Sequence, residues 1–475
     1  MNKSWLLKGV AVGLTVLALA VVLARIGFLV DERQDYQRQA VASVQQSHAG
    51  AQTLLGPVLQ RSCSEEWQLP VGEGESRRNV THRREFTQHL VPSQLEVQGS
   101  TEAEARYRGL FKVNGYLAKL QLQARWADLE ALKPTREHPG SRLSCKPAKM
   151  WLAASDVRGL RAATLQVEGA ALPVQPGTGN EAHPNGLRAE VPGFGSDGSV
   201  PAGPLASAIE LQLVGTAQLA LVPVALATQW ALRSDWPHPS FGGRFLPVQR
   251  EVGEQGFGAR WSVSALATSA ARDAIAGTPI CAAPAALSAD ETGTHRASSA
   301  DGKPCLDTFA VNFIDPVNPY TLSDRAIKYG LLFVLLTFAA VALTETLSGG
   351  RVRRVHPVQY ALVGLALCLF FLLLLSLSEH LPFVAAYTVA SAAVVGLLAL
   401  YARAMLGSAR GGLLFGGAAA LLYGLLYVLL LREQTALLIG SIGLFVALAA
   451  VMLLTRRLDW YGLARTPAPA RASAD

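Results

Sequence analysis

Between Val358 and Leu377 the chain reads VQYALVGLALCLFFLLLLSL, a run that no charged residue interrupts. The hydrocarbon core of a bilayer is crossed by about 20 mostly apolar residues. Inside lipid the backbone has to satisfy its own hydrogen bonds, so a run of this kind, apolar on every side and without period-two alternation, predicts a spanning helix. Four comparable runs lie beside it: Ile327 to Leu347, Pro382 to Tyr401, Gly412 to Leu431 and Ala436 to Thr455. A sixth, Leu6 to Val30, stands alone near the N-terminus. It has a basic start and a small-x-small site at Ala18-Leu19-Ala20, as a signal peptide would. Its apolar stretch continues past that site to Val30, which favours an uncleaved anchor.

Composition agrees with this reading. Of 475 residues, 50% are hydrophobic and 16% charged, against about 25% charged in ordinary soluble domains. A disordered tail and a small disulfide knot are both excluded. The net charge of +7 would suggest an anionic partner such as nucleic acid, but its distribution says otherwise. Residues 31–326 hold 28 basic and 30 acidic groups, whereas residues 1–30 and 327–458 hold the excess. Lys3, Lys8, Arg351, Arg353, Arg354, Arg403, Arg410, Arg456, Arg457, Arg465 and Arg471 all fall on one side of the predicted spans. The short loops of the other side hold Arg432. Basic short loops mark the cytoplasmic face, so both termini are expected inside and residues 31–325 outside. No nucleic-acid partner is expected.

The segment 31–325 has the length of one or two domains. Asp31 to Ser47 reads as a helix continuing the first span. Beyond it the pattern alternates, as strands that bury one face do. Tyr116 to Trp126, Ala208 to Gly215, Ala217 to Leu232, Ala163 to Gly169 and Ala259 to Ala267 each read as a strand. Gln94 to Trp126 and Ala208 to Trp236 share a strand–Gly–strand appearance, a weak sign of a repeat. Segments 172–206 and 276–304, rich in Pro, Gly, Ala and Ser, read as loops or lobe linkers.

Cys63, Cys145, Cys281 and Cys305 lie in this outer segment, and Cys368 lies in a span. An even number in an oxidising compartment predicts two disulfides. Three connectivities are open, and order along the chain favours Cys63–Cys145 with Cys281–Cys305. No CxxC, HExxH, phosphate loop or G-x-S-x-G elbow occurs. No metal, cofactor or catalytic residue is expected, and the chain is read as not an enzyme. Trp236-Pro-His-Pro-Ser-Phe241 is the one unusual segment, because two prolines around His238 forbid a helix. Trp236, His238 and Phe241 are candidate recognition residues; the competing and favoured reading is a turn whose aromatics fill the core. In the spans, Glu345, Glu379 and His380 lie near the ends, where interfacial groups sit, rather than at the midplane where transporters place them. The pairs Gly9/Gly13 and Gly412/Gly416 have the spacing that lets helices approach closely.

SDWPHPSFGGRFLPVQREVGEQGF (234–257), YTLSDRAIKYGLLFVLLTFAAVALTETL (320–347), RVHPVQYALVGLALCLFFLLLLSLSEH (354–380) and TRRLDWYGL (455–463) strongly resemble the CreD family of Gram-negative inner-membrane proteins. VDERQDYQRQAV and GPVL are similar too, so the resemblance runs nearly end to end. It implies a role in cell-envelope integrity and stress tolerance, expression linked to a two-component system, and no catalytic residues to carry over.

The expectation is therefore an α-helical polytopic membrane protein with six spans. A large β-rich periplasmic domain of one or two lobes is inserted between spans 1 and 2. The segments are 1–30 (anchor), 31–325 (outer domain) and 326–475 (five-span bundle with a short cytoplasmic tail). The partners expected are the lipid bilayer and an envelope protein or cell-wall component; a permease-type subunit is the alternative. A reporter fused at residue 200 is expected to score outside the cytoplasm and one fused at the C-terminus inside; the reverse pattern overturns the topology.

Overall fold

The computed structural model describes all residues except 1–2, 72–77, 282–303, 314, 316–317, 348–354, 433–434 and 457–475. Most of the expected 276–304 loop, and Arg351, Arg353, Arg354, Arg457, Arg465 and Arg471, lie outside the described residues. The chain forms two compact units, Met1–Arg38 with Val317–Asp475, and Gln39–Pro316.

The first unit is helical. Helix α1 (Lys3–Ser47) is one continuous helix through the apolar run and the Gln/Arg-rich stretch that follows. After α2 (Ala270–Ile275) of the other unit come α3 (Pro319–Lys328), α4 (Gly330–Leu347), α5 (Pro357–Ser378), α6 (Phe383–Leu406), α7 (Ala409–Leu431) and α8 (Ala436–Thr455). Helices α1, α5, α6 and α7 are long and apolar enough to cross a membrane. The second expected run is not one straight helix: α3 and α4 meet at a 45° bend and make a fifth crossing if they form one span. The described apolar stretch of α8 is Leu438–Leu453. Leu362, Leu369, Leu413, Leu414 and Leu421 stand exposed on these helices, an apolar surface too extensive for water.

The family string His356-Pro-Val-Gln-Tyr is a helix start. His356 caps α5, accepting from the Val358 amide at 3.3 Å, while Gln359 Oε1 accepts from the His356 amide at 2.9 Å. Pro357 takes the first turn, where its missing N–H costs nothing. One of the two small-residue pairs is a packing face. A Cβ on Gly412 would lie 2.8 Å from Ala399 O of α6, and one on Gly416 would lie 2.7 Å from Ala399 Cβ. Gly9 and Gly13 meet nothing within 4 Å. The glycines that admit α1 are Gly330 and Gly364, where a Cβ would lie 2.9 Å from Leu23 Cδ2 and 2.1 Å from Leu19 Cδ1. Lys8 pairs with Glu345 at 2.6 Å, and Arg33 with Glu379 at 3.6 Å.

The second unit is built on two sheets around one buried apolar cluster. Its strands are β1 (Gln52–Val71), β2 (Arg78–Leu90), β3 (Gln94–Arg108), β4 (Phe111–Trp126), β5 (Arg142–Cys145), β6 (Ala148–Ala154), β7 (Leu160–Val167), β8 (Ala170–Leu172), β9 (Gln175–Pro176), β10 (Gly186–Val191), β11 (Leu205–Thr216), β12 (Gln218–Leu221), β13 (Ala227–Ser234), β14 (Pro239–Gly243), β15 (Gln249–Gly253), β16 (Gly256–Ser264) and β17 (Phe309–Phe313). One sheet has nine strands, in the order β14-β17-β12-β1-β6-β10-β9, with β2 and β5 also pairing β1. The other has eight, in the order β15-β16-β13-β3-β4-β11-β7-β8.

Three expectations change. The stretch Ala217 to Leu232 is two strands in different sheets, because Pro223, which has no amide hydrogen to give a ladder, lets the chain cross from β12 to β13. Segment 172–206 is not wholly a loop: β10 within it pairs β6 along six residues. Gln94 to Trp126 is a β3–β4 hairpin, whereas Ala208 to Trp236 runs through three strands of both sheets, so the two are not a repeat.

Disulfides join Cys63 to Cys145 and Cys281 to Cys305, and Cys368 is free and buried. Their sequence separations of 82 and 24 correspond to about 4.5 and about 3.5 kcal/mol of lost unfolded-state entropy in the loop-closure account. Beside the first bridge the fully buried Glu65 accepts from Ser141 Oγ (2.6 Å), the amides of Glu137 and His138 (both 3.0 Å) and Arg84 Nη2 (3.1 Å). The Ser141 and His138 hydrogen bonds, with Arg84 helping, hold its carboxyl below the usual range against the opposing effect of burial.

Gly364→Val is expected to destabilise the helical unit by about 1–3 kcal/mol through overpacking against Leu19. Leu19→Ala in the same chain should recover part of that loss. Melting of the detergent-purified full-length protein measures both, and an additive double variant would show that α1 does not pack there.

Candidate functional site

The Trp236–Phe241 segment turns two of its three candidate residues inward. Trp236 is 9% exposed and donates Nε1–H to His238 O at 3.0 Å. Lys112 lies over its ring at 5.5 Å. Phe241 on β14 meets Phe257 and Trp261 edge-on, at 5.6 and 5.8 Å between centroids. His238 alone of the three is exposed. The prolines fix a turn that delivers β14 to the edge of the nine-stranded sheet, where it pairs β17.

An extended polar surface lies elsewhere, on the outer face of the eight-stranded sheet. Period-two alternation sends Leu95, Val97, Leu120, Leu122, Ile209, Leu211, Trp230 and Trp261 into the core and their neighbours out. In register, Ser262, Gln229, Glu96, Gln123, Ala208 and Gln166 form one row across six strands. The next row is Arg260, Ala231, Gln98, Gln121, Glu210 and Thr164, and a third is Gly258, Arg233, Ser100, Lys119, Gln212 and Ala162. With Gln94 at the margin and Gln249 of β15 beside Arg260, eight exposed glutamines share one face.

The long amides alternate with Ala, Ser and Gly, so the face is furrowed. Three grooves of about 650, 560 and 490 Å³ run over it, the first two sharing Glu96 and Gln229 and the first and third sharing Gln98. Gln98 Nε2 donates to Glu96 Oε1 at 3.1 Å. Among the described residues the side-chain amides of Gln121, Gln123, Gln166, Gln212 and Gln229 have no protein hydrogen-bond partner, and each offers a donor and an acceptor to whatever covers it. Among the described residues no group of three His, Cys, Asp or Glu side chains is arranged to hold a metal ion. The arrangement is suited to hydrogen bonding over an extended area.

The sequence reading found these strands and missed their shared face. The signal was present as recurrent Gln in the outward phase: QLEVQ, LQLQAR, ELQL and TLQV. It could not be assembled without the pairing order, which brings residues 96, 123, 166 and 229 into one row.

The family model described as inner membrane protein CreD matches residues 4–461. Inner membrane protein CreD of Escherichia coli is 33% identical over 447 residues, 94% of this chain and 91% of the relative. Among solved structures, an M1 zinc metallopeptidase from Deinococcus radiodurans matches 36% of this chain and 38% of its own, at 7% identity and a TM-score of 0.18. A likeness that slight carries no argument.

Phe241→Ala is expected to lower the melting temperature of the purified protein, at a cost of about 2–4 kcal/mol for a large ring truncated in a core. His238→Ala should leave stability within about 0.5 kcal/mol, as surface substitutions do. Equal effects would contradict the burial difference between the two.

Proposed function

Because the chain belongs to the CreD family of inner membrane proteins, we propose that it supports envelope integrity and stress tolerance by binding a cell-wall component with its β-rich unit. On this reading the helical unit crosses the membrane six times, through α1, the bent pair α3–α4, and α5 to α8. Residues 31–325 lie in the periplasm and both termini in the cytoplasm. The basic loops support that orientation, and the two disulfides suit an oxidising compartment. The ion pairs of α1 support the span. Lys8 and Arg33 are 25 positions apart, roughly 37 Å along a helix at 1.5 Å per residue. That length covers a hydrocarbon core of about 30 Å with its interfaces.

The glutamine face carries the proposal. Protein interfaces usually centre on aromatic or aliphatic anchors, and the three rows contain neither an outward aromatic nor an outward large aliphatic residue. Hydroxyl-rich polymers instead present closely spaced donors and acceptors, which amides can match in either sense. The chain acts on this account as a binding protein, without catalysis.

Gln98→Ala, Gln121→Ala and Gln123→Ala combined in the full-length protein should weaken binding to purified peptidoglycan fragments. At about 1 kcal/mol per hydrogen bond the loss is roughly 100-fold, with an unchanged melting temperature. Undiminished binding by the triple variant, or none by the parent protein, overturns the proposal.

A further inference from the structure

The outer face of the nine-stranded sheet carries a second groove of different chemistry, about 630 Å³ in volume. Its floor is a row set by strand register, His89, Gln60, Lys149 and Glu190 on β2, β1, β6 and β10. Lys146 and Arg188 also line it. Among the described residues none of Lys146, Lys149 and Arg188 is ion-paired, within a segment whose acidic groups outnumber its basic ones. Burial first, and then the charges of Arg188 and Lys146, hold the Lys149 amine below its ordinary value. The three cations are therefore crowded enough to feel one another.

The groove is also rigid. The Lys146 amide donates to Ser62 O at 2.9 Å, and Ser62 adjoins the Cys63–Cys145 bridge. Arg188 Nη1 donates to Pro176 O (2.8 Å) and Gly177 O (2.9 Å), and Lys149 Nζ to Gly179 O (2.5 Å). The wall at Asn180 is folded on itself, with Asn180 N donating to Thr178 Oγ1 at 3.0 Å and Ala182 N to Asn180 Oδ1 at 2.9 Å. Gln60 is 6% exposed, and among the described residues its Oε1 has no hydrogen-bond partner. That is an unsatisfied acceptor in a groove otherwise rich in donors.

We propose that this groove binds a saccharide carrying a single anionic group, a phosphate ester or a carboxylate. Lys146, Lys149 and Arg188 receive the charge, and Gln60, Ser62 and His89 receive the hydroxyls. The volume exceeds what an inorganic anion fills. Glu181 and Glu190 also line the groove; they accept sugar hydroxyls and repel a second negative charge, which is the reason for one anionic group and not several. Charged groups on a ligand gain most where donors are already oriented, as the backbone contacts of Lys149 and Arg188 arrange here.

The test is calorimetric titration of the full-length protein, in uncharged detergent at low salt, with glucose 6-phosphate, glucuronate, glucose and inorganic phosphate. At least one anionic sugar should bind saturably, at least tenfold more tightly than glucose and than inorganic phosphate, and which one binds identifies the anionic group. Lys146→Glu, at an exposed position, should weaken that binding at least tenfold with the melting temperature unchanged. Lys149→Met should do the same, and the Lys146 variant decides if the Lys149 chain fails to fold. Absence of saturable binding, equal binding of glucose or of phosphate, or indifference to Lys146→Glu overturns the inference. The glutamine face is untouched by these variants and probes, so the two proposals fail separately.

Discussion

The stacked indoles of Trp230 and Trp261, with centroids 4.5 Å apart, rest against Phe309 at 6.4 and 6.2 Å. The two tryptophans stand on the eight-stranded sheet and Phe309 on the nine-stranded one, so this contact joins the sheets. Phe245 and Phe241 close over it edge-on, against Phe309 and Trp261, in the geometry that aromatic quadrupoles favour. Tyr116 adds a directional tie by donating its hydroxyl to Gln218 O at 2.6 Å from one sheet to the other. Complete burial lifts its phenol well above the ordinary value, so it remains a donor throughout the physiological range. Both outward faces depend on this seam, since the strands that carry them are held together across their filled inward sides.

What the sequence disclosed follows from which interactions are local. The spans were legible because lipid acts on every residue of a run at once, and the observed α5, Pro357–Ser378, lies within one residue of the expected stretch at each end. Alternation disclosed β4, β11, β7 and β16 for the same reason. The exchange of sheets at Pro223 was not legible, because an unbroken apolar run from Leu219 to Ala225 crosses it while the hydrogen-bond partners change from β1 and β17 to β3 and β16. β10 escaped because its Gly- and Pro-rich surroundings outweigh a six-residue strand. Both candidate sites are sets of residues far apart in sequence, and only register unites them.

The helical unit shows how an isolated span is held to a bundle without a hydrophobic driving force. Lipid tails are as apolar as leucine, so association rests on close packing and on the few polar contacts available. Glycine supplies the first: Gly330 and Gly364 leave room for Leu23 and Leu19. Ion pairs supply the second, Lys8 with Glu345 and Arg33 with Glu379, each acidic partner no more than 13% exposed. The acidic residues near the span ends thus have structural partners. Reading them as proton carriers would leave two basic residues of α1 unexplained.

The two outward faces of the β unit differ in how much they depart from what folding alone would select. A polar sheet face whose few charges are of both signs, Glu96 and Glu210 with Lys119, Arg233 and Arg260, is compatible with solvation as well as with binding. The groove of the other sheet is harder to assign to solvation alone: among the described residues its three cations have no ion-pair partner, they outnumber the carboxylates of Glu181 and Glu190 beside them, and like charges brought together destabilise the sheet that holds them. Neutral glutamine at Lys149 would keep the strand pairing and remove the repulsion. Where local chemistry opposes the stability of the fold that bears it, and the surroundings are ordered by a disulfide and a self-bonded loop, the cost is explained by a ligand that supplies the missing charge.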